Sequence, residues 1–238
     1  MTVAGSPSLL RRAGRRLRRL LLWFDPFRYV LGTLRQSIAA QLAGMALPRS
    51  PRVLDYGCGG QPYRSLLPDG CEYVGADIAG NERAQIVINA DGTLPVAEAS
   101  YDLVLSTQVL EHVDDPSVYL EECRRILRPG GRLLLTTHGL MFYHPYPQDL
   151  WRWTADGLRL AVQRAGLQVV GVEGVVGLIP ASVWLVMFEY QACLPWGLRH
   201  LFVLSCNLLM LLSDRMTSDG SRLRNACVYN LVAQRGAD

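Results

Sequence analysis

Arg52-Val-Leu-Asp-Tyr-Gly-Cys-Gly-Gly60 decides the fold: a short apolar run ends in an acid and opens directly into a glycine turn. Pro48 and Pro51 precede it and bias the chain toward extended backbone, so Val53-Leu54 reads as a strand. Gly57 and Gly59 allow positive φ and let the backbone approach a ligand that a side chain would hold off. Alone, such a D-x-G-x-G turn is a weak signal. A nicotinamide-binding fold offers a similar turn, but its G-x-G-x-x-G/A fingerprint has Pro62 in the last place here, which weakens the dehydrogenase reading.

Outward from the turn, short apolar runs alternate with segments of helical or loop character: Tyr73-Val-Gly-Ala76, Ile86-Val-Ile88, Leu103-Val-Leu105 and Leu133-Leu-Leu135. This alternation predicts a doubly wound α/β domain with a seven-stranded, mostly parallel sheet and helices on both faces. Asp115-Pro116 opens a helix, Thr154 caps another and Gly166 ends it. Strands are expected near 167–175 and at Cys227-Val-Tyr-Asn-Leu-Val-Ala233, flanking an apolar helical insertion at about 176–224 and pairing as an antiparallel hairpin at the sheet edge. The domain is expected to span 48–238, preceded over 1–47 by a basic amphipathic helix and a linker helix at roughly 28–46. Three acids follow three successive strands: Asp55, Asp77 and Asp91. All point to the carboxyl edge of the sheet, where open α/β folds bind ligands, and Asp77 suits the ribose hydroxyls of an adenosine ligand.

These segments, taken in order, resemble the class I S-adenosylmethionine-dependent methyltransferases over roughly 52–175 plus the last strand. Val53 to Gly59 is similar to that family's first motif, Val74-Gly-Ala-Asp77 to its second and Ala90-Asp-Gly92 to its third. Tyr101 to His112 is similar to the fourth, and Leu127-Arg-Pro-Gly-Gly131 to the turn before the fifth strand. The resemblance implies a Rossmann-like methyltransferase fold with S-adenosylmethionine as cofactor. It implies that the turn from Asp55 through Gly57 and Cys58 to Gly59 lies against the methionine part. Asp77 would hold the ribose, Asp91 and Gly92 the adenine, and Gln108 would face the methyl-transfer region.

Composition narrows the chemistry. All 24 basic residues are arginine, so a lysine Schiff base, covalently held pyridoxal phosphate and a P-loop lysine are excluded. Six arginines, at 11, 12, 15, 16, 18 and 19, precede the first acid, Asp25, and the rest of the chain carries 18 against 21 acids. A mildly acidic body argues against a nucleic-acid acceptor, although the basic arm leaves an RNA methyltransferase as an alternative. A non-catalytic cofactor-binding or assembly protein is the other alternative. The six cysteines show no C-x-x-C pair or clustered ligand spacing, so zinc and disulfide frameworks are not expected and a reducing cytoplasm fits. Leu20-Leu-Leu-Trp-Phe24 is too short for a signal-peptide core.

Methyl transfer is an in-line displacement, in which a protein contributes chiefly alignment and, for a reluctant hydroxyl, a base. Candidate bases cluster directly after the fifth strand, between His138 and Thr154; His144 is the first choice and Asp149 the second, unless Asp149 and Arg152 pair to pin the loop. Glu111-His112 resembles part of the E-x-x-E-H metal site of small-RNA 2′-O-methyltransferases, but Gln108 replaces the first glutamate, so no metal is expected and His112 is read as a satisfied helix-start histidine. The expected acceptor is a small molecule or glycan, methylated at oxygen. Two features suggest an anionic membrane surface and a peripheral place on the inner face of the plasma membrane: the arginines opposite Leu10, Leu17, Leu20, Leu21 and Phe24, and the apolar insertion. Within that insertion Leu201–Leu212 is too short to span a bilayer, and the readings as a lid over the cofactor or a dimer contact stay open.

Overall fold

The computed structural model describes residues 22–237. The arginine-rich helix expected ahead of Leu22 therefore lies outside the described residues, and Leu22–Phe24 forms a single 3-10 turn. Seven strands, β1 (Arg52–Tyr56), β2 (Glu72–Asp77), β3 (Ile86–Val87), β4 (Tyr101–Thr107), β5 (Leu127–His138), β6 (Leu167–Val175) and β7 (Val228–Arg235), form one sheet in the order β3-β2-β1-β4-β5-β7-β6. The first five run parallel, and β7 inserts antiparallel between β5 and β6. The expected fold class is thus observed, with the predicted hairpin of β6 and β7 closing one edge.

The strands read as continuous apolar runs because both faces are covered, so adjacent residues feed opposite layers. Leu54, Val104, Leu133 and Leu135 pack beneath α2 (Pro116–Ile126) and α3 (Ala155–Arg164). Val53, Leu103, Leu105 and Leu134 pack beneath α1 (Arg28–Gly44), α4 (Leu178–Tyr190) and α5 (Trp196–Arg215). Asp115 caps α2 by accepting from the Ser117 N–H, and Thr154 caps α3 by accepting from the Gly157 N–H.

Two expectations need correction. The linker helix is part of the domain: α1 buries Val30, Leu34, Ile38 and Leu42 in the same core as β1 and β4. It covers that face because the segments from β1 to β4 hold no α-helix, only a 3-10 turn at Arg64–Leu66. Pro62, Pro68 and the glycines at 59, 60 and 70 break any longer helix there. No residue of the insertion at 176–224 lines the large cleft described below. Finally, the charged and aromatic residues at 196–200 do not interrupt the second apolar stretch. They form the first turn of α5, which is 20 residues long and, by length and composition, apolar enough to cross a membrane.

Buried polar residues fasten the insertion to the domain. Asp214 near the end of α5 accepts hydrogen bonds from Tyr29 Oη and the Gly177 N–H and pairs with Arg222 of α6 (Asp219–Arg224). Asn207 donates to the carbonyl oxygens of Trp23 and Asp25.

Candidate active site

Strand order reverses across β1, whose neighbours are β2 and β4, and a cleft of about 890 Å³ opens at the carboxyl ends of these strands. Its size falls within the usual range for small-molecule sites. Gly57, Cys58, Gly59, Asp77, Asp91, Gly92, Gln108 and His144 all line it; Asp55 and Asp149 do not.

The glycine turn is shaped by its backbone. Gly57 has φ 79°, and a Cβ there would lie 2.5 Å from Val109 Cγ2, so only glycine fits without displacing a cleft residue. The Gly57 and Cys58 N–H groups both donate to the Ala76 carbonyl, and the Gly59 N–H donates to Asp77 Oδ2 at 2.8 Å. Asn81 Nδ2 reaches the same oxygen at 2.6 Å, and the Ile78 N–H donates to Oδ1. The carboxylate at the end of β2 is thereby fixed in the cleft wall. Asp55 lies behind the turn, buried, with Tyr73 Oη donating to its Oδ2 at 2.7 Å. Burial pushes its carboxyl up from 3.8 to about 6, with the Asp77 charge adding to the rise. Cys58 is buried, and burial raises its thiol to about 11, the nearby Asp55 and Asp77 adding to it, so it is no nucleophile at neutral pH.

After β3, Asp91 is exposed and accepts from the N–H and Oγ1 of Thr93, which lowers its carboxyl below the usual range. Tyr56 Oη donates to the Gly92 carbonyl. Past β4, Gln108 adopts φ 56°, a strained conformation for a residue with a side chain, and its Nε2 donates to Thr136 Oγ1.

The segment after β5 folds over the turn at 111–114. Gln148 Nε2 donates to the His112 carbonyl and to Asp114 Oδ1, and the Leu150 and Trp151 N–H groups donate to the Glu111 carbonyl. His112, itself a cleft residue, is a turn residue with Nδ1 against the Gln148 carbonyl rather than the helix-start histidine expected. Asp149 accepts both guanidinium nitrogens of Arg152 and the His144 N–H at 2.7 Å. Arg152 holds the Asp149 carboxyl down at about 2, and Arg152 also donates to the Phe142 carbonyl. The pairing that pins the loop is therefore the one the geometry contains, and this carboxylate is too weakly basic and too fully engaged to take a proton from an acceptor.

His144 sits in a cluster that sequence reasoning saw only in part. Its ring centroid lies 5.9 Å from that of His112 and 6.1 Å from that of His138. Glu111 is fully buried, accepts from Thr137 Oγ1 at 2.8 Å, and has Oε1 3.0 Å from His138 Nε2. Burial, reinforced by the two other imidazoles, holds His144 below the usual histidine range, so it is neutral at pH 7. Spacing does not show that Glu111 and His138 meet; their burial comes from β5 packing beside the end of β4. Among the described residues no group of three or more His, Cys, Asp or Glu is placed to hold a metal ion.

Comparison with known proteins fits this geometry. A family model described as "Methyltransferase domain" matches residues 27–172, more than half of the chain. The chain belongs to the S-adenosylmethionine-dependent methyltransferases. Among curated relatives of this methyltransferase, the "Ubiquinone biosynthesis O-methyltransferase" of Cereibacter sphaeroides is 37% identical over 159 residues, covering 52% of this chain and 63% of that protein. The protein of the same name from Maricaulis maris is 26% identical over 178 residues, covering 66% of this chain and 60% of that one. The matched region is thus less than two thirds of these relatives' length. Solved structures share the fold: the [4+2]-cyclase SpnF at 18% identity and TM-score 0.57, covering 86% of this chain and 81% of that one, and a Haemonchus contortus phosphoethanolamine N-methyltransferase at 16% and 0.53, covering 85% and 52%.

The cofactor of this family fits the cleft on charge as well as shape. Asp77, Asp91, Asp114 and Asp115 line it, and no arginine does, so the field favours a ligand carrying cationic sulfonium and ammonium groups.

Proposed function

We propose that this protein methylates an oxygen atom of a small-molecule or glycan acceptor, lipid-linked and presented at the inner face of the plasma membrane. The observation that carries the reading is His144: a neutral imidazole in the cleft wall, with its backbone N–H anchored to Asp149. S-adenosylmethionine, when bound, supplies an electrophilic methyl group on sulfur. The glycine turn and the Asp77 carboxylate receive its methionine and ribose parts, and Asp91 with Gly92 the adenine. Gln108 and Val109 border the transfer region from the end of β4. As the acceptor hydroxyl attacks, a ring nitrogen of His144 takes its proton, so the oxygen gains nucleophilicity without a metal or a strong base. Asp149 serves the loop: with Arg152 it sets where His144 stands. The relatives named as O-methyltransferases support oxygen as the target. The anionic cleft disfavours a polyphosphate backbone and so supports a small acceptor over RNA. Because a cyclase shares this fold, the reaction has to be argued from the site itself.

The test is transfer of labelled methyl from S-adenosylmethionine to lipid, glycan and RNA fractions separately. The reading requires an alkali-stable, ether-type label in the lipid or glycan fraction. It fails if the label enters only RNA, or if no fraction is labelled by protein that binds S-adenosylhomocysteine.

A further inference from the structure

The largest feature that the active site leaves unused is the outer face of α5. Leu201, Leu208 and Leu212 stand 59%, 44% and 57% exposed, at helical spacing that puts them on one stripe with Met216. Trp196, 81% exposed, opens the helix. A continuous apolar stripe of this kind on a protein surface marks something that covers it.

The charge around the stripe points to what covers it. Apart from buried Asp214, which pairs with Arg222, α5 carries no acid, and exposed Arg199 and Arg215 stand near its two ends. The chain enters the described structure on this same helix: Asn207 holds the Trp23 and Asp25 carbonyls, and Phe24 packs edge-on against His200. Six arginines and no acid precede that anchor within the first 21 residues. These basic residues therefore join the described chain where it contacts α5. Tryptophan at a helix end, leucines along a face and basic charge beside them are the composition that seats in an anionic lipid interface.

We propose that the exposed face of α5 is the docking surface for an anionic bilayer, to whose attraction the arginines ahead of Leu22 add charge. The proposal deepens the membrane reading given above and rests on it. Although α5 is long enough to cross a bilayer, it lies along the surface. Asn207 and Asp214 are tied to the domain by hydrogen bonds that a spanning helix would have to give up, leaving both side chains in hydrocarbon. The surface also connects to the segment after β5. Phe142, from the loop that carries His144, stacks on Phe188 of α4 with centroids 4.1 Å apart, and Trp184 and Phe27 complete the cluster. α4 packs on α5, so the helix that seats the loop carrying His144 belongs to the same docked insertion.

Flotation of the full chain with phosphatidylcholine vesicles, with and without phosphatidylglycerol, tests this. The expected result is recovery with the anionic vesicles at low salt, loss at high salt, and release by alkaline carbonate. Leu208→Ser with Leu212→Ser, and separately Arg15→Ser with Arg16→Ser, should each lower partitioning by about tenfold while S-adenosylhomocysteine binding is unchanged. If the wild type floats and the leucine variant floats equally well, α5 is not the docking face. If the wild type stays with the soluble fraction at low salt, the membrane reading itself fails, whatever the methylation assay gives. Resistance to carbonate would overturn the interfacial placement. A stable dimer in lipid-free solution that the leucine substitutions dissociate would give the face to a second copy instead.

Discussion

Replacing Asp55 by asparagine tests the electrostatics behind the glycine turn. The carboxyl is buried, one oxygen is held by Tyr73, the other has no partner, and the Asp77 carboxylate adds a like charge. Its pKa rises from 3.8 to about 6, roughly two units, and at 1.36 kcal/mol per unit the ionised form costs the fold about 3 kcal/mol. The folded state holds this proton more tightly than the unfolded chain. The stabilisation is therefore complete below about pH 4 and is lost as pH rises to about 6, then stays constant. Asparagine keeps the shape and the acceptor for Tyr73 but cannot ionise. Urea unfolding of both proteins should show Asp55→Asn gaining about 3 kcal/mol on the wild type between pH 4 and 7. A cationic cofactor should reverse the shift, so calorimetry in buffers of different ionisation enthalpy should detect proton release on binding near pH 6, absent in the variant. Parallel stability curves across this range would refute the argument that Asp55 is an unfavourably buried carboxylate.

Four other outcomes are expected. Asp77→Ala, losing the acceptor that fixes the turn, should weaken S-adenosylhomocysteine binding by about 2 kcal/mol, roughly thirtyfold, measured by calorimetry on protein with an unchanged circular dichroism spectrum. His144→Ala should lower kcat steeply with little change in cofactor affinity, and should abolish an acid limb of the pH profile centred below the usual histidine range; a retained limb would move the base elsewhere. Arg152→Ala should lower kcat/KM by about tenfold by releasing the loop, with the His144-dependent limb still present, as a positioning role requires. Gly57→Ala combines φ 79° with contact against Val109; it should cost about 1–2 kcal/mol in urea unfolding and weaken cofactor binding as well.

Much of the fold was legible because local signals and tertiary demands agree. The strand runs are apolar on both faces, the caps at Asp115 and Thr154 act where composition places them, and Leu167–Val175 was readable from its start after Gly166 to its end. The cofactor side was legible for a related reason, since acids at strand ends project to one edge of a parallel sheet whatever the loops do. Asp55 shows the limit: sequence cannot say which of three such acids turns inward. The segment after β5 was harder to read, because Glu111 and His138 meet at the ends of neighbouring strands and His144 joins them only through a loop folding over the sheet edge. Spacing holds no record of that contact. The true length of α5 was hidden because Arg199 and His200 look like interruptions, whereas an exposed first turn accommodates them.

The position of β7 has a consequence for how the molecule comes into being. It follows the other six strands in sequence, yet it fills an interior place, with β5 on one side and β6 on the other. Asn230 on β7 donates to Ser37 on α1 across 193 residues of chain. Until β7 is synthesised, β5 presents an unpaired edge beside the loop that carries His144, and β6 has no sheet to join. Until β7 has left the ribosome, the strands already made form an open sheet with unsatisfied edges. Closing the chain over the 193 residues between Ser37 and Asn230 is an entropic cost that completing the sheet has to meet.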